Sequence, residues 1–319
     1  MTMNKKCFGV DLGGTTTKIG LFDVDGTLIE KYEIPTNKEE AGVHILDDIK
    51  VFIDNVIVEK SLDLKDIIGV GIGVPGAVTD DGIVNKCINL GWDVTNVEGI
   101  MKEKTNFNVK VGNDANMAAL GEYWKGGAAE FSSMFLVTIG TGIGGGIIIN
   151  GKPINGYNGA AAEIGHLHIV YDETDTCNCG KKGCLEQVAS ASGIVRVAKR
   201  FLSTTDVPST LRKQESISAK IVFDEAKKGD TVASEVAEYT AKYLGLALAN
   251  VAGIIDPECF VIGGGVSAAG QYLVDLITAN YRKYVFHPCK DTQIVLASLG
   301  NDAGMYGAAK LVIDELKNE

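Results

Sequence analysis

Between Glu163 and Glu186 the chain reads E-I-G-H-L-H, then eight residues, then C-N-C-G-K-K-G-C-L-E. Three of its seven cysteines and two of its four histidines fall here, with a glutamate at each end. Cys177, Cys179 and Cys184 put three thiolates on one short loop, and Asn178, Gly180 and Gly183 are small enough for its sharp turns. One more ligand completes a tetrahedral zinc site, and both His166 and His168 are near enough in sequence to supply it. The competing reading is a disulfide, but a C-x-C bridge is strained and a reducing compartment disfavours it. Four protein ligands close the site, which makes the zinc structural. Such an ion fixes the loop that carries Glu163 and Glu186, carboxylates of the kind that hold sugar hydroxyls.

Asp114, in V-G-N-D-A-N, stands where a strand meets a helix beside Asn113. Phosphoryl transfer needs a carboxylate there to take up a hydroxyl proton, and a plain helix N-cap has the same signature. Two glycine hairpins, D-L-G-G-T at 11–15 and T-I-G-T-G at 138–142, each offer backbone N–H groups and a threonine hydroxyl, the usual means of cradling phosphate without a helix end. Lys18 adds a cation close to the first. Gly263-Gly264-Gly265 is either a flat floor for a nucleobase or ribose or a strand-to-helix turn. G-x-G-x-x-G occurs at Gly71–Gly76 and Gly140–Gly145, but a turn and a strand follow, so the helix N-terminus of a dinucleotide site is missing. No Walker-type G-x-x-x-x-G-K-[ST] is present.

The elements that position these residues repeat. Residues 6–34 read as three strands joined by a glycine turn and the Asp25-Gly26 hairpin signal. Residues 133–154 run the same way: strand, glycine turn, strand, Asn150-Gly151 turn. Two copies of one unit predict a duplicated α/β architecture with ligand clamped between halves. Helical spacing covers 37–60, strands are expected at 67–76 and 107–114, and a helix follows Asp114. Further helices are expected near 188–202, 216–228, 230–252, 268–282 and 303–316, with strands at 258–266 and 293–298 and a polar surface loop at 203–217.

The chain has 319 residues and a net charge of −11, which argues against a nucleic-acid or anionic-lipid surface. The 39 glycines are about 12% of the chain against a usual ~7%, and their clustering suggests loops where backbone meets ligand. No apolar run reaches the ~20 residues of a membrane span, and the first strand starts too early for a signal peptide, so a cytoplasmic protein with reduced thiols at Cys7, Cys87, Cys259 and Cys289 is expected.

Together these motifs resemble the ROK family of sugar kinases and repressors, and within it the bacterial glucokinases. The resemblance spans essentially the whole chain: D-L-G-G-T-x-x-K at 11–18, V-P-G-A at 74–77, N-L-G-W at 89–92, G-N-D-A-N at 112–116, T-I-G-T-G-I-G-G-G at 138–146, E-I-G-H at 163–166 and C-x-C-G-x-x-G-C-x-E at 177–186. It implies an α/β, actin-like (ribonuclease-H-like) duplicated ATPase fold of two domains with a cleft between them. Residues 1–115 plus 301–319 would form the smaller domain, and 116–300 the larger with the zinc loop. It implies phosphorylation of glucose at its 6-hydroxyl with Asp114 as general base, and domain closure that limits ATP hydrolysis. His166 would be both zinc ligand and sugar contact. Gly76, Asn89, Asn113, Asp114, Glu163 and Glu186 would hold the sugar. Asp11, Gly13, Gly14, Thr15, Lys18, Thr141 and Gly142 would take the ATP phosphates, with magnesium near Asp11 and adenosine by Gly264 and Gly265. N-acetylmannosamine, fructose, mannose and allose are the other sugars the family implies, and polyphosphate a second donor. A homodimer or homotetramer is implied too. The family's repressors carry an N-terminal DNA-binding domain, which is not expected here because the first strand begins within ten residues. The chain departs from the family at Ala162, where a glycine usually precedes the glutamate.

Overall fold

The computed structural model describes residues 5–315. The first strands are β1 (Lys6–Leu12), β2 (Thr16–Asp23) and β3 (Leu28–Pro35), followed by α1 (Ile45–Glu59) and β4 (Ile67–Val74). A short ribbon of β5 (Ile83–Val84) and β6 (Thr95–Asn96) leads into α2 (Val97–Thr105), β7 (Val109–Asn113) and α3 (Asp114–Lys125). The plan then starts again with β8 (Met134–Ile139), β9 (Ile143–Ile149) and β10 (Lys152–Pro153). After a long loop come α4 (Glu186–Ala189), α5 (Ala191–Thr204), α6 (Ala219–Lys227) and α7 (Thr231–Ile255). The last elements are β11 (Cys259–Gly263), α8 (Gln271–Tyr284), β12 (Gln293–Leu296) and α9 (Ala303–Glu315).

Duplication shows in the strand order. One five-stranded sheet runs β3-β2-β1-β4-β7, the other β10-β9-β8-β11-β12. Each places its own strands third-second-first-fourth-fifth, with parallel pairing from the first strand to the fourth and from the fourth to the fifth. This is the expected actin-like arrangement. The edge strand β3 alternates half-buried and exposed positions, whereas the central β1 and β4 are buried almost throughout.

Two compact units result. Of the described residues, 5–130, 146–161 and 301–315 form the first, and 131–145 with 162–300 the second. The boundary expected after residue 115 falls within α3, near its start; in this division the whole of α3 lies in the first unit, where α9 packs directly on it. A Cβ added at Gly307 would sit 1.7 Å from the Met117 carbonyl oxygen, and one at Gly121 2.1 Å from that of Ala303, so the two backbones touch. Gly307→Ala must force these helices apart. It is expected to destabilise the fold by about 3 kcal/mol, read as a drop of several degrees in the Tm of a thermal melt.

The same helix explains part of the glycine excess. Gly20, Gly9 and Gly71 are cross-strand partners on β2, β1 and β4. Cβ atoms at Gly9 and Gly71 would fall 2.1 Å from Met305 O and 1.7 Å from Ala308 O. Gly9 and Gly71 therefore seat α9, while a Cβ at Gly20 would fall 2.4 Å from the Phe22 ring, so packing accounts for this group of glycines. The helix expected over 37–60 is also shorter: Glu40, Ala41 and Gly42 all have positive φ (49°, 60° and 71°), so α1 starts only at Ile45.

Candidate active site

Asn113 ends β7 and Asp114 opens α3. The N-cap is Asn113, whose side chain accepts from the Asn116 N–H at 3.1 Å. The N-cap expected at Asp114 is therefore one residue earlier. Asp114 Oδ1 instead accepts from the Ala115 N–H (2.8 Å) and from Asn113 Nδ2 (3.0 Å). That amide also donates to the Gly76 carbonyl (2.9 Å), which ties Asn113, Asp114 and Gly76 into one cluster. Asn89 lies exposed in a turn closed by paired Cys87–Trp92 backbone hydrogen bonds, both 3.0 Å. Trp92 Nε1 donates to the Gly42 carbonyl (3.0 Å) and so holds this turn against the left-handed 40–42 segment.

The first hairpin lies in the same unit. Asp11 is pushed above the usual carboxylate range by burial, against the pull of Lys18. Lys18 Nζ is 3.9 Å from Asp11 and donates to the Asn301 carbonyl at 2.7 Å. Gly13 and Gly14 form the turn, closed by Gly13 N–H to Thr16 O at 3.0 Å, with Thr15 exposed. A Cβ at Gly14 would lie 3.8 Å from Asn89 O, so the Asn89 turn borders this hairpin.

In the second unit the turn through Thr141 and Gly142 is tighter, with Gly140 N–H donating to Gly142 O at 2.9 Å. Glu186 opens α4 beside it: a Cβ at Gly142 would stand 2.9 Å from Glu186 Oε2. Gly264 has φ +80° and ψ 175°, a conformation only glycine adopts readily, and a Cβ there would lie 2.6 Å from the Ile139 backbone. It starts the 3₁₀ turn Gly265–Ala269, with Gly264 and Gly265 both exposed.

The two histidines differ in their surroundings. His168 Nδ1 is 2.8 Å from the Lys182 carbonyl, and its backbone bridges Cys184. The ligand atoms of His166, Cys177, Cys179 and Cys184 all lie within 4.8 Å of one another. Cys179 and Cys184 sulfurs are 3.6 Å apart, and Cys177 Sγ is 3.8 Å from His166 Nδ1. Tetrahedral ligands around zinc stand about 3.6–3.8 Å apart at its usual bond lengths, so three thiols and one imidazole at these spacings suit that ion. The S–S separation is far beyond the ~2.05 Å of a disulfide. Burial, then the Glu186 carboxylate, push the Cys177 thiol up, while a backbone N–H from Lys181 pulls Cys179 down.

Glu186 Oε1 is 3.0 Å from Cys177 Sγ and 3.7 Å from His166 Nδ1, so this carboxylate sits against the cluster. Glu163 precedes the 3₁₀ turn Ile164–His166, its carbonyl accepting the His166 N–H at 3.1 Å and its side chain exposed. Ala162 takes φ +64°, a left-handed conformation that costs an alanine roughly 1–2 kcal/mol and a glycine little.

Sequence reasoning missed the brace under this loop. Arg196 of α5 bonds Glu173, Asp175 (2.7 Å) and the Gln187 carbonyl (2.7 Å). Gln187 in turn accepts the Cys184 N–H (3.0 Å) and donates to the Asp175 carbonyl (2.9 Å). The Glu173 side chain is 1% exposed and so needs its Arg196 partner. No spacing rule links residues 173, 187 and 196, so nothing in the sequence marks the brace.

The ROK family profile matches residues 7–315. A glucokinase of Halalkalibacterium halodurans is 41% identical over 95% of this chain and 94% of its own. The crystal structure of a ROK family glucokinase from Streptomyces griseus, in complex with glucose and AMPPNP, superposes with a TM-score of 0.75 at 33% identity, covering 96% of this chain and 98% of that one. A ROK hexokinase from Thermus thermophilus gives a TM-score of 0.81 at 30% identity over 98% and 100% of the two chains. The fold and its motifs are those of a sugar-kinase lineage built on the actin-like ATPase plan. The chain belongs to the ROK family.

Proposed function

We propose that this chain is an ATP-dependent glucokinase. The observation that carries the reading is the Asn113–Asp114–Gly76 cluster, which aims a carboxylate from a fixed strand–helix junction. Its support is the 41% identity to a glucokinase across nearly the whole chain. Asp114 accepts the proton of the sugar 6-hydroxyl as that oxygen attacks the γ-phosphorus. The bond from the γ-phosphorus to the bridging oxygen breaks, leaving glucose 6-phosphate and ADP. Asn89, Asn113, the Gly76 loop, Glu163, His166 and Glu186 bind the sugar hydroxyls. The hairpin amides near Gly13–Thr15 and Thr141–Gly142 receive the phosphates, and Gly264 and Gly265 the adenosine. Lys18 and Asp11 flank the phosphates, and magnesium arrives with ATP and offsets their charge.

His166, Cys177, Cys179 and Cys184 would hold zinc, which supplies a rigid cross-link and no chemistry of its own. Among the described residues no helix is long and apolar enough to cross a membrane. A cytoplasmic enzyme of glycolysis, working as a homodimer or homotetramer, is part of this reading.

A coupled assay over a sugar panel tests it. With ATP, glucose is expected to give at least tenfold higher kcat/KM than N-acetylmannosamine, fructose, mannose or allose. A pocket that hydrogen-bonds each hydroxyl discriminates on that scale or more. A higher value for another sugar reassigns the substrate, and absence of turnover with every sugar overturns the kinase reading. Running the panel with polyphosphate in place of ATP defines the donor.

A further inference from the structure

Each glycine hairpin is held from behind by a hydroxyl and an amide of a separate segment. Behind the first, Thr36 lies just past β3. Its Oγ1 donates to the Gly13 carbonyl (2.7 Å) and its N–H to the Thr15 carbonyl (2.9 Å). Thr17 Oγ1 stands 3.0 Å from Thr36 Oγ1. The one proton on Thr36 Oγ1 goes to Gly13, so Thr17 is the donor in that contact. Thr36 is 9% exposed and Thr17 1%, so the arrangement is closed to solvent. Behind the second hairpin, Ser192 Oγ donates to the Thr141 carbonyl (2.7 Å) and the Ala191 N–H to the Gly140 carbonyl (2.8 Å).

A trans peptide points its C=O and N–H in opposite directions, and the described chain has no cis bond. With the Gly13 carbonyl drawn to Thr36, the Gly14 N–H must face the opposite side. With the Thr141 and Gly140 carbonyls drawn to α5, the Gly142 and Thr141 N–H groups must do the same. Such control is needed because a peptide flanked by glycine flips easily, having no Cβ to restrain it. A flip would replace a donor by a carbonyl dipole whose negative end opposes phosphate. We infer that Thr36 and Ser192 are positioning residues for the phosphoryl donor: they turn the hairpin carbonyls to the rear and so present the amides of Gly14, Thr141 and Gly142 to the phosphates. This rests on the reading that the hairpins receive ATP.

The test uses the full-length, metal-loaded chain and four variants: Thr36→Val, Thr36→Ser, Ser192→Ala and Gly14→Ala. KM for ATP, kcat and the Kd for glucose are measured separately. Thr36→Val keeps the shape and removes the hydroxyl. It is expected to raise the ATP KM about tenfold, with the glucose Kd within about twofold. Thr36→Ser is expected to restore most of the loss, which simple loss of packing would not do. Ser192→Ala, at a more exposed site, is expected to raise the ATP KM about threefold and stands as the test if Thr36→Val fails to fold. Gly14→Ala tests the underlying reading: its φ is not left-handed and its Cβ has room, with the nearest atom, Asn89 O, 3.8 Å away, so the fold tolerates it while the hairpin proposed to receive phosphate gains a methyl. If Gly14→Ala leaves ATP use intact, the hairpin reading falls and the clamps fall with it. If Gly14→Ala weakens ATP but Thr36→Val does not, or if serine fails to rescue valine, the clamp inference alone is overturned.

Discussion

Asp114→Ala is expected to lower kcat by about two to four orders of magnitude, while glucose still binds and the protein stays folded. The separation is possible because the helix cap and the proposed base are different residues. Asn113 caps α3 through its bond to the Asn116 N–H, and Asp114 occupies the first helical position. Removing its carboxylate forfeits the 2.8 Å bond from the Ala115 N–H and a favourable charge at the helix N-terminus. That charge is worth roughly 0.3–1 kcal/mol, too little to unfold the chain. What cannot be replaced is the proton acceptor. Asp114→Asn is the sharper variant, since it keeps the volume and one oxygen but is a far weaker base. Single-turnover phosphorylation, the glucose Kd by calorimetry and a thermal melt decide the matter. Turnover within tenfold of the parent in either variant would sink Asp114 as the base, and a Tm loss above about 5 °C would assign it a structural role as well.

What the sequence made legible was largely local. The three strands of residues 6–34 and their echo at 133–154 could be read because strand alternation and glycine turns sit within a few residues of each other. The cysteine loop was legible for the same reason. The elements that escaped were short or depended on distant partners. The helix α2 is V-E-G-I-M-K-E-K-T, with three apolar residues in nine, so it has almost no periodic signal. The β5–β6 ribbon has two residues per strand. The packing role of Gly9 and Gly71 was not legible because their partner, α9, arrives more than 230 residues later. Spacing alone left His166 and His168 open as ligands, and the Lys182 carbonyl that stands against His168 is brought there only by the folded loop. Thr36 and Ser192 bond backbone carbonyls, whose directions leave no trace in composition, and Arg196 pairs with acids more than twenty residues earlier.

Removing the proposed zinc is expected to raise the glucose KM about tenfold, with a smaller change in kcat, on the scale at which loss of a metal site's supporting groups acts. The loop that carries the cluster is held unevenly from base to tip. Its base is held by protein alone, where Arg196 joins Glu173 and Asp175 and Gln187 joins Asp175 to Cys184. Its tip has much less: Cys177 N–H to Lys181 O and Gly180 N–H to Cys177 O close a small turn, with residues 178–182 all exposed. Three thiols and His166 converge across that gap, so a bound ion would supply the missing restraint. Of the two residues proposed to grip the sugar here, His166 belongs to the cluster and Glu186 stands at its edge, with Oε1 3.0 Å from Cys177 Sγ. Metal loss therefore frees a sugar contact and its neighbour together, whereas Asp114 is placed by β7 and α3 and keeps its geometry. Elemental analysis is expected to find one zinc per chain. Chelation followed by hydrogen exchange should deprotect 177–184 ahead of 173–175, and added zinc should restore both protection and KM. Metal-free protein that binds glucose as tightly as the native form would show that the loop needs no clamp and that the cluster serves something other than the sugar.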